Sequence, residues 1–291
     1  ERSAEAVLPN GISGTYYAVV TTGGPFEFVY GGNNRAVSAA VAVTLTQPPD
    51  LVVTDIVAPT AASSGARIDV SWTVVNAGTG PTTSGWTDTV YLRNTASGAL
   101  LTLGSFAATA PLEAGSSYTR SEQFTLGGTL QGLFQAVVTT NASGSLYEHG
   151  ANGNNTTSDD ATLLVTLTPR PDIQVLAIDA PDAASAAGTV AVDFTVINQG
   201  TVAASGRWRD VVYLSLDNQV SGDDLVIGAF DNVSALDPGE PYTRTTSSAS
   251  IPGRYRGEMF ILVRTDAEGA LDEYPNDGNN THARAIYIDP L

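Results

Sequence analysis

The feature that most constrains this chain is a pair of adjacent asparagines that recurs three times at nearly constant intervals. The pairs are Asn33-Asn34, Asn154-Asn155 and Asn279-Asn280, and each precedes an alternating apolar segment. A glutamate stands seven residues before the second asparagine of every pair, at Glu27, Glu148 and Glu273. Self-similarity at a fixed period indicates an array of structural repeats. Such an array favours a function in spanning, display or binding over catalysis.

Two complete repeats and one half repeat can be recognised in the sequence. We predict the C-terminal half of a repeat over residues 1–47, a complete repeat over 48–168 and a second complete repeat over 169–291. An isolated half repeat would expose strand edges and one face of its core. Two explanations therefore stay open. Either this segment belongs to a longer array, or another chain completes it.

The segments between these landmarks have the composition and period of β-strands. They are short, rich in Val, Thr, Tyr and Phe, and alternate with period two, while Gly, Pro, Asn and Ser separate them. No stretch sustains helical periodicity. Seven such segments in each complete repeat predict an all-β fold of tandem immunoglobulin-like, or fibronectin-III-like, β-sandwiches. The prediction is two complete sandwiches plus one C-terminal half-module.

Several motifs recur in the same order in both complete repeats. The first repeat shows them as Pro49-Asp50-Leu51, Val70-Ser-Trp-Thr-Val-Val-Asn-Ala-Gly78 and Trp86-Thr-Asp-Thr-Val-Tyr-Leu92, followed by the hairpin from Glu148 to Asn155. In order and spacing they resemble CARDB, the cell-adhesion-related domain found in bacteria. The resemblance implies an extracellular, multi-domain surface or secreted protein. Such domains occur both in adhesins and as appendages of secreted enzymes, so the resemblance does not settle the function.

The charge of the chain narrows its choice of partners. Thirty acidic residues face 13 basic residues, all of them arginine, which gives a net charge of −17. A field of this sign repels nucleic acid and attracts divalent cations, so we predict no nucleic-acid partner. No apolar run approaches the roughly 18 residues needed to span a bilayer, so we predict no membrane span. The chain has no cysteine, which leaves a cation held by oxygen ligands as the remaining cross-link.

Two acidic loops of the last repeat are candidate calcium sites, because Ca²⁺ takes six to eight oxygen ligands. The long hairpin supplies Asp266, Glu268, Asp272, Glu273, Asn276 and Asp277, and the loop after the third strand supplies Asp217, Asp223 and Asp224. Sandwich topology predicts that the hairpin lies where the chain enters the repeat and that the second loop lies at the opposite end. The alternative is that these side chains only cap backbone groups in turns. The glutamate and the asparagine pair recur in every repeat, which favours this alternative for them.

Recurring aromatic residues at strand positions predict a core rather than a platform for stacking sugars. These residues are Trp72, which aligns with Phe194, and Trp86, which aligns with Trp208. Asp88 and Asp210 follow two residues after those tryptophans, and we expect them to accept backbone hydrogen bonds. Tyr118 and Tyr242 are expected on the turn before the sixth strand, where a bonded hydroxyl would resemble a tyrosine corner.

Signals for catalysis are weak. Only two histidines, His149 and His282, are present, and neither recurs in the other repeats. No nucleophile elbow, phosphate-binding loop or paired-histidine metal motif appears. We therefore predict that the chain is not an enzyme.

The sequence favours a non-catalytic spacer and adhesion or interaction rod of a bacterial extracellular or cell-surface protein, stiffened by Ca²⁺ if the acidic loops bind it. Its partners would be a protein or glycan on a surface, or copies of itself. One alternative is a subunit of a self-assembling extracellular filament, in which strand addition completes the half-module. Another alternative is a carbohydrate-binding appendage of a secreted hydrolase.

Overall fold

The computed structural model describes residues 2–24 and 31–290. Within these ranges the regular secondary structure consists of β-strands and two single-turn 3₁₀ segments, Gly31–Asn33 and Asn152–Asn154. The prediction of an all-β fold is confirmed. None of the described residues belongs to a helix long and apolar enough to cross a membrane. Glu27, the glutamate of the half-module, lies outside the described residues.

Contacts between residues divide the chain into two compact units, Glu1–Leu167 and Thr168–Leu291. Each unit has a hydrophobic core built from inward-facing strand residues. Trp72 is fully buried in the first core, and Phe194 takes the equivalent place in the second. Each complete repeat thus has a core of its own. The predicted boundary at residue 47 falls within the first unit and stays a prediction.

The N-terminal segment of the first unit forms four short strands. They are β1 (Gly14–Tyr16), β2 (Val19–Thr21), β3 (Arg35–Val37) and β4 (Val41–Val43). β1 pairs with β4, and β2 pairs with β3, both in the antiparallel direction. Their side chains are exposed, apart from Val43, which is partly buried.

The first complete sandwich follows, with nine strands. They are β5 (Leu51–Val57), β6 (Ala61–Ser63), β7 (Arg67–Asn76), β8 (Trp86–Asn94), β9 (Leu100–Ala108), β10 (Ser117–Thr125), β11 (Gly132–Thr139), β12 (Thr156–Ser158) and β13 (Leu163–Thr166). One sheet has the order β10-β7-β5, and the other has the order β6-β13-β11-β8-β9 with β12 also paired to β11. The period-two pattern decides which residues lie between them. Along β7, for example, Ile68, Val70, Trp72 and Val74 are buried.

The second sandwich repeats this arrangement with eight strands. They are β14 (Ile173–Asp179), β15 (Ala183–Ser185), β16 (Thr189–Asn198), β17 (Trp208–Ser215), β18 (Leu225–Asn232), β19 (Pro241–Ser250), β20 (Gly257–Arg264) and β21 (Thr281–Asp289). The sheet orders are β14-β16-β19 and β15-β21-β20-β17-β18. Tandem immunoglobulin-like sandwiches are therefore observed as predicted.

The strands of the N-terminal segment pair in the same register as the last strands of the first complete repeat. Gly14 lies opposite Val43 as Gly132 lies opposite Val165, and Val19 lies opposite Val37 as Val137 lies opposite Ser158. β1 to β4 therefore reproduce the last hairpin of a complete repeat. The described residues of this segment thus have the strand pairing seen at the end of a complete repeat. Its assignment as the C-terminal half of a repeat stays a prediction.

The expected seven strands per repeat were too few. The opening strand is interrupted at Pro59 in the first repeat and at Pro181 in the second, because proline cannot donate a hydrogen bond to a strand ladder. The chain then crosses to the other sheet. There β6 pairs in parallel with β13, and β15 pairs in parallel with β21. The opening segment of each repeat thus contributes two strands, one to each sheet.

The Asn-x-Gly motif after β7 and β16 fixes the point where the chain enters each sandwich. Asn198 Oδ1 accepts the backbone N–H groups of Asp172 and Gly200, at 3.1 and 2.9 Å, and its Nδ2 donates to two carbonyls of the neighbouring loops. Asn76 makes the same set of bonds in the first sandwich. A Cβ atom on Gly200 would lie 2.6 Å from the backbone of Arg170 and Asp172. Only glycine fits under the entering chain.

We predict that Gly200→Ala destabilises the second unit by about 1–3 kcal/mol, because backbone atoms must move to admit the methyl group. Calorimetry of the whole chain would show this as a lower melting temperature for one transition. Gly222→Ala is the matched control, since nothing lies within 4 Å of its added Cβ. Equal melting temperatures for the two variants would show that the close approach is not restrictive.

Candidate functional site

The glutamate that recurs before each asparagine pair is buried in both complete repeats. Glu148 is 2% exposed and lies between the final hairpin and the first strand of its sandwich. Its Oε1 accepts the backbone N–H of Leu51 at 2.6 Å. Its Oε2 accepts Nδ2 of Asn141 and Nδ2 of Asn155, both at 2.7 Å. The carboxylate thus joins the last hairpin to the first strand of the sandwich.

The second sandwich builds the same joint with one important difference. Glu273, 1% exposed, accepts the backbone N–H of Ile173 and, at 2.6 Å, Nδ2 of Asn280. The position of Asn141 is taken by Asp266, and both residues have the left-handed backbone, with φ of 45° and 43°. Asp266 uses its two oxygens to accept the N–H groups of Ala270 and Leu271. A carboxylate has no proton to donate, so the third donor to the buried glutamate is lost.

Burial and nearby charge change the acidity of Glu273. The pKa of Glu273 is raised from 4.5 to about 7, chiefly by its removal from water and further by the negative charges of Asp266 and Asp172. The hydrogen bonds from Ile173 and Asn280 act in the opposite direction. Two neighbouring carboxylates resist being charged together, which favours the protonated form of the more buried one.

The rest of the hairpin holds the entering chain through Asp172. Its Oδ1 accepts Nδ2 of Asn279 at 2.9 Å, and its Oδ2 accepts Nδ2 of Asn276 at 3.0 Å. In the first sandwich, Asn154 makes the corresponding bond to Asp50. The prediction that the hairpin lies where the chain enters the repeat is confirmed. In each pair, the first asparagine donates its amide N–H to the aspartate of the entering chain, and the second donates to the buried glutamate.

The remaining candidate calcium ligands of the hairpin each have a separate protein partner. Asp272 pairs with Arg170 at 2.9 Å, and Glu268 pairs with Arg209 at 3.3 Å. Asp277 accepts the backbone N–H of its neighbour Glu273 at 3.3 Å. Such contacts are typical of a turn that its own side chains stabilise, which was the alternative to calcium binding in the sequence analysis.

The second acidic loop also forms bonds within itself. Asp217 accepts the N–H of Gln219, Asp224 accepts the N–H of Ser221, and Asp223 accepts the hydroxyl of Ser221. No group of three or more acidic, histidine or cysteine side chains in the described part of the chain is arranged to hold a metal. Calcium binding at either loop stays a prediction.

The expected position of this loop was only partly right. It follows Ser215, the last residue of β17, which lies opposite Phe260 at the far end of the sheet. However, Asn218, Gln219 and Val220 line one cavity together with residues of the last hairpin. The loop occupies nine positions, 216–224, between β17 and β18, whereas 95–99 suffice between β8 and β9. Its extra length lets it extend over the outer face of the sheet.

The recurring aromatic residues belong to the cores, as predicted. Trp72, Trp86, Phe194 and Trp208 are all buried. Asp88 and Asp210, also buried, do not accept the backbone hydrogen bonds that we expected. Their donors are side chains, because the strand ladders already use the local backbone groups.

Each of these aspartates collects a different set of donors. Asp88 accepts the hydroxyl of Tyr118 and, at 2.9 Å, Nε1 of Trp72. Phe194 replaces that tryptophan in the second sandwich and has no N–H. There Asp210 accepts Nδ2 of Asn232 at 2.7 Å and the hydroxyl of Thr265 at 2.7 Å. Burial raises the pKa of Asp210, which these donors partly counter.

The prediction that Tyr118 and Tyr242 lie on a turn and form a tyrosine-corner hydrogen bond is wrong. Tyr118 and Tyr242 lie within β10 and β19, and their hydroxyls donate to Asp88 and Asp210. Burial, followed by the charge of its aspartate partner, raises the pKa of each tyrosine. A carboxylate acceptor inside the sandwich replaces the backbone acceptor that a tyrosine corner would use.

Two sandwiches with matching internal joints and separate cores define a protein of tandem β-sandwich modules. The sequence matches the CARDB family over residues 48–159 and 170–284, which together make up more than half of the chain. The chain therefore belongs to the CARDB family. Among curated proteins, none is similar enough to this chain to count as a match.

Solved structures resemble this chain at low identity. A CARDB domain from Pyrococcus furiosus in complex with di-metal ions is 19% identical, covers 43% of this chain and 100% of its own, and has a TM-score of 0.33. The fibronectin(III)-like modules of CbhA from Clostridium thermocellum are 16% identical, cover 82% of this chain and 94% of their own, and have a TM-score of 0.23. At these values the similarity says nothing about the ligands of this chain.

The shifted acidity of Glu273 predicts a loss of stability as pH rises. Between its unfolded pKa near 4.5 and its folded pKa of about 7, the native state holds a proton that the unfolded state has released. Unfolding free energy should therefore fall across this window, by about 3 kcal/mol if this group acts alone. Glu273→Gln should remove this part of the pH dependence, as measured by denaturation of the whole chain at a series of pH values.

Replacing the left-handed Asp266 by asparagine, the residue found at the equivalent position 141 of the first repeat, tests the charge coupling. Asp266→Asn should lower the pKa of Glu273, because it removes one of the negative charges that raise this pKa, as read from carboxyl carbon shifts in an NMR titration. If the pKa of Glu273 stays the same in Asp266→Asn, the proposed charge coupling is wrong.

Proposed function

We propose that this pair of CARDB sandwiches is a non-catalytic spacing and interaction segment of a bacterial extracellular or cell-surface protein. The observation that carries the proposal is that the recurring buried carboxylates form hydrogen bonds within their own sandwich. Glu148 with Glu273 and Asp88 with Asp210 are two pairs of acids that recur in both repeats, and all four are buried and bonded to the sandwich itself. The repeated polar residues serve to hold the modules together.

This use of carboxylates argues against hydrolysis. A general acid or base must come within hydrogen-bond distance of a substrate, and glycosidic cleavage requires two carboxyl groups facing one bond. The recurring carboxylates of this chain face the first strand or the core of their own sandwich. The exposed loops, which differ between the repeats, remain as surfaces for a protein or glycan partner.

The experiment presents the whole chain, fixed to beads, to an array of extracellular matrix proteins and glycans, and separately to chromogenic glycosides, esters and peptides. We expect retention on at least one surface ligand and no product formation. Multiple turnovers on any substrate, lost on replacing a single exposed acid such as Asp231 or Glu258, would contradict the non-catalytic assignment.

Calcium binding by the acidic loops of the second unit is part of this proposal. Support comes from the excess of acidic residues in these loops and from the net charge of −17. Millimolar Ca²⁺ should raise the melting temperature of the second unit and leave the first unchanged, because a ligand stabilises only the state that binds it. Asp277→Asn should weaken the shift, and Mg²⁺ is the control ion. An unchanged melting temperature at millimolar Ca²⁺ would exclude the site.

A filament subunit remains as a second candidate, favoured by the apolar surface of the half-module. Val7 is 98% exposed and Val20 is 67% exposed, and neighbouring Tyr17 is also exposed. Strands from another chain would cover this face. A sedimentation coefficient that grows with concentration would favour the filament over the spacer. Val20→Asp should prevent this growth, whereas Val233→Asp, at a similarly exposed position, should not.

A further inference from the structure

The second unit has a polar cavity on the outer face of its five-stranded sheet. Its volume is about 370 Å³, within the range of small-molecule sites. It lies between the long loop after β17 and the end of the last hairpin. The polar residues that line it are Asn218, Gln219, Arg264, Asp277, Asn280 and Thr281. The joint at Glu273 does not use the side chain of Arg264 or those of the two loop residues.

Two features that distinguish this repeat from the first one form the walls of the cavity. Arg264 ends β20 and lies opposite Thr281, whereas the equivalent position of β11 is Thr139, opposite Thr156. In the first sandwich those two threonine hydroxyls bond each other at 2.9 Å. The longer loop after β17 then forms the second wall.

Arg264 has an unusual position for a charged side chain. It is partly buried, yet its guanidinium makes no hydrogen bond or ion pair with any described residue, unlike the other partly buried arginines. Those others are Arg93, Arg120, Arg170, Arg209 and Arg284. A guanidinium carries five N–H donors in a planar fork that suits paired oxygen acceptors. This fork is therefore available to a ligand.

The remaining lining restricts the ligand class. The loop amides of Asn218 and Gln219 offer donors and acceptors, and neither side chain has a partner among the described residues. Arg264 and Asp277, which carry opposite charges, both line the cavity. Asp224 lies near the same site, because its negative charge raises the pKa of Tyr213 while the positive charge of Arg264 lowers it. A strongly anionic ligand would be repelled by these acids, and a cation by the arginine.

We propose that this cavity binds a neutral saccharide unit. Vicinal hydroxyls accept two N–H groups from the guanidinium and donate to the carboxylate and amide oxygens, which uses both kinds of group. The apolar lining is limited to Val220 and Ala283, so no large hydrophobic group fits better. Without an aromatic side chain in the lining, the affinity is modest, with a dissociation constant on the order of 1 mM.

The test is an NMR titration of the whole ¹⁵N-labelled chain with maltose, cellobiose, lactose and N,N′-diacetylchitobiose. At least one of these should shift the Nε–H signal of Arg264 and the side-chain amide signals of Asn218 and Gln219. Arg264→Thr, which installs the residue found at this position in the first sandwich, should weaken binding about tenfold or more. Arg256→Thr removes an exposed arginine outside the cavity and should leave the affinity unchanged.

Three results would overturn the proposal. They are no shift at these signals with any of the four disaccharides, equal shifts in Arg264→Thr and the parent chain, and larger shifts with glucuronate than with the neutral sugars. A backbone spectrum that is unchanged outside the cavity would confirm that Arg264→Thr is folded. The spacing and interaction role is tested separately by retention on surface ligands, and failure at this cavity leaves it standing.

Discussion

The structure of both repeats depends on one buried carboxylate that accepts the backbone N–H of the first strand. Glu148 holds Leu51 in this way, and Glu273 holds Ile173. Because the glutamate belongs to the last hairpin, the bond joins the two ends of the repeat. A buried carboxyl group is costly unless it is hydrogen-bonded, which explains why the second asparagine of each pair accompanies the glutamate. Breaking this joint would leave a buried carboxyl group and the N–H of the first strand without their partners.

Each sandwich has a second buried carboxylate, an aspartate, which stays hydrogen-bonded in both repeats although its donors differ. Asp88 relies on the indole N–H of Trp72, and the loss of that group at Phe194 is offset by the amide of Asn232. The position of Asn232 corresponds to Ala108 in the first sandwich, since both lie opposite the tryptophan that begins the neighbouring strand. The two substitutions thus compensate each other across two strands.

The two repeats share this framework but differ in chemistry where the framework does not restrict them. Burial raises the pKa of Glu273, and the charge of Asp266, which stands in place of Asn141, adds to this rise, so the joint of the second sandwich is sensitive to protons. Arg264 in place of Thr139, together with a longer loop, opens a polar cavity on the outer face of the sheet. The two repeats therefore share their internal bonds and differ in their outer loops. This division is consistent with modules whose function lies in their contacts.

The sequence by itself determined the repeat, the all-β class and the residues of the core, because the period-two pattern and the recurring landmarks depend only on local chemistry. It also placed the last hairpin beside the entering chain. Tertiary structure alone decided the partners of Asp88 and Asp210, the sheet change at Pro59 and Pro181, and the meeting of Arg264 with the loop at 218–220. Those contacts join residues far apart in the chain, and their geometry arises only when two sheets pack together.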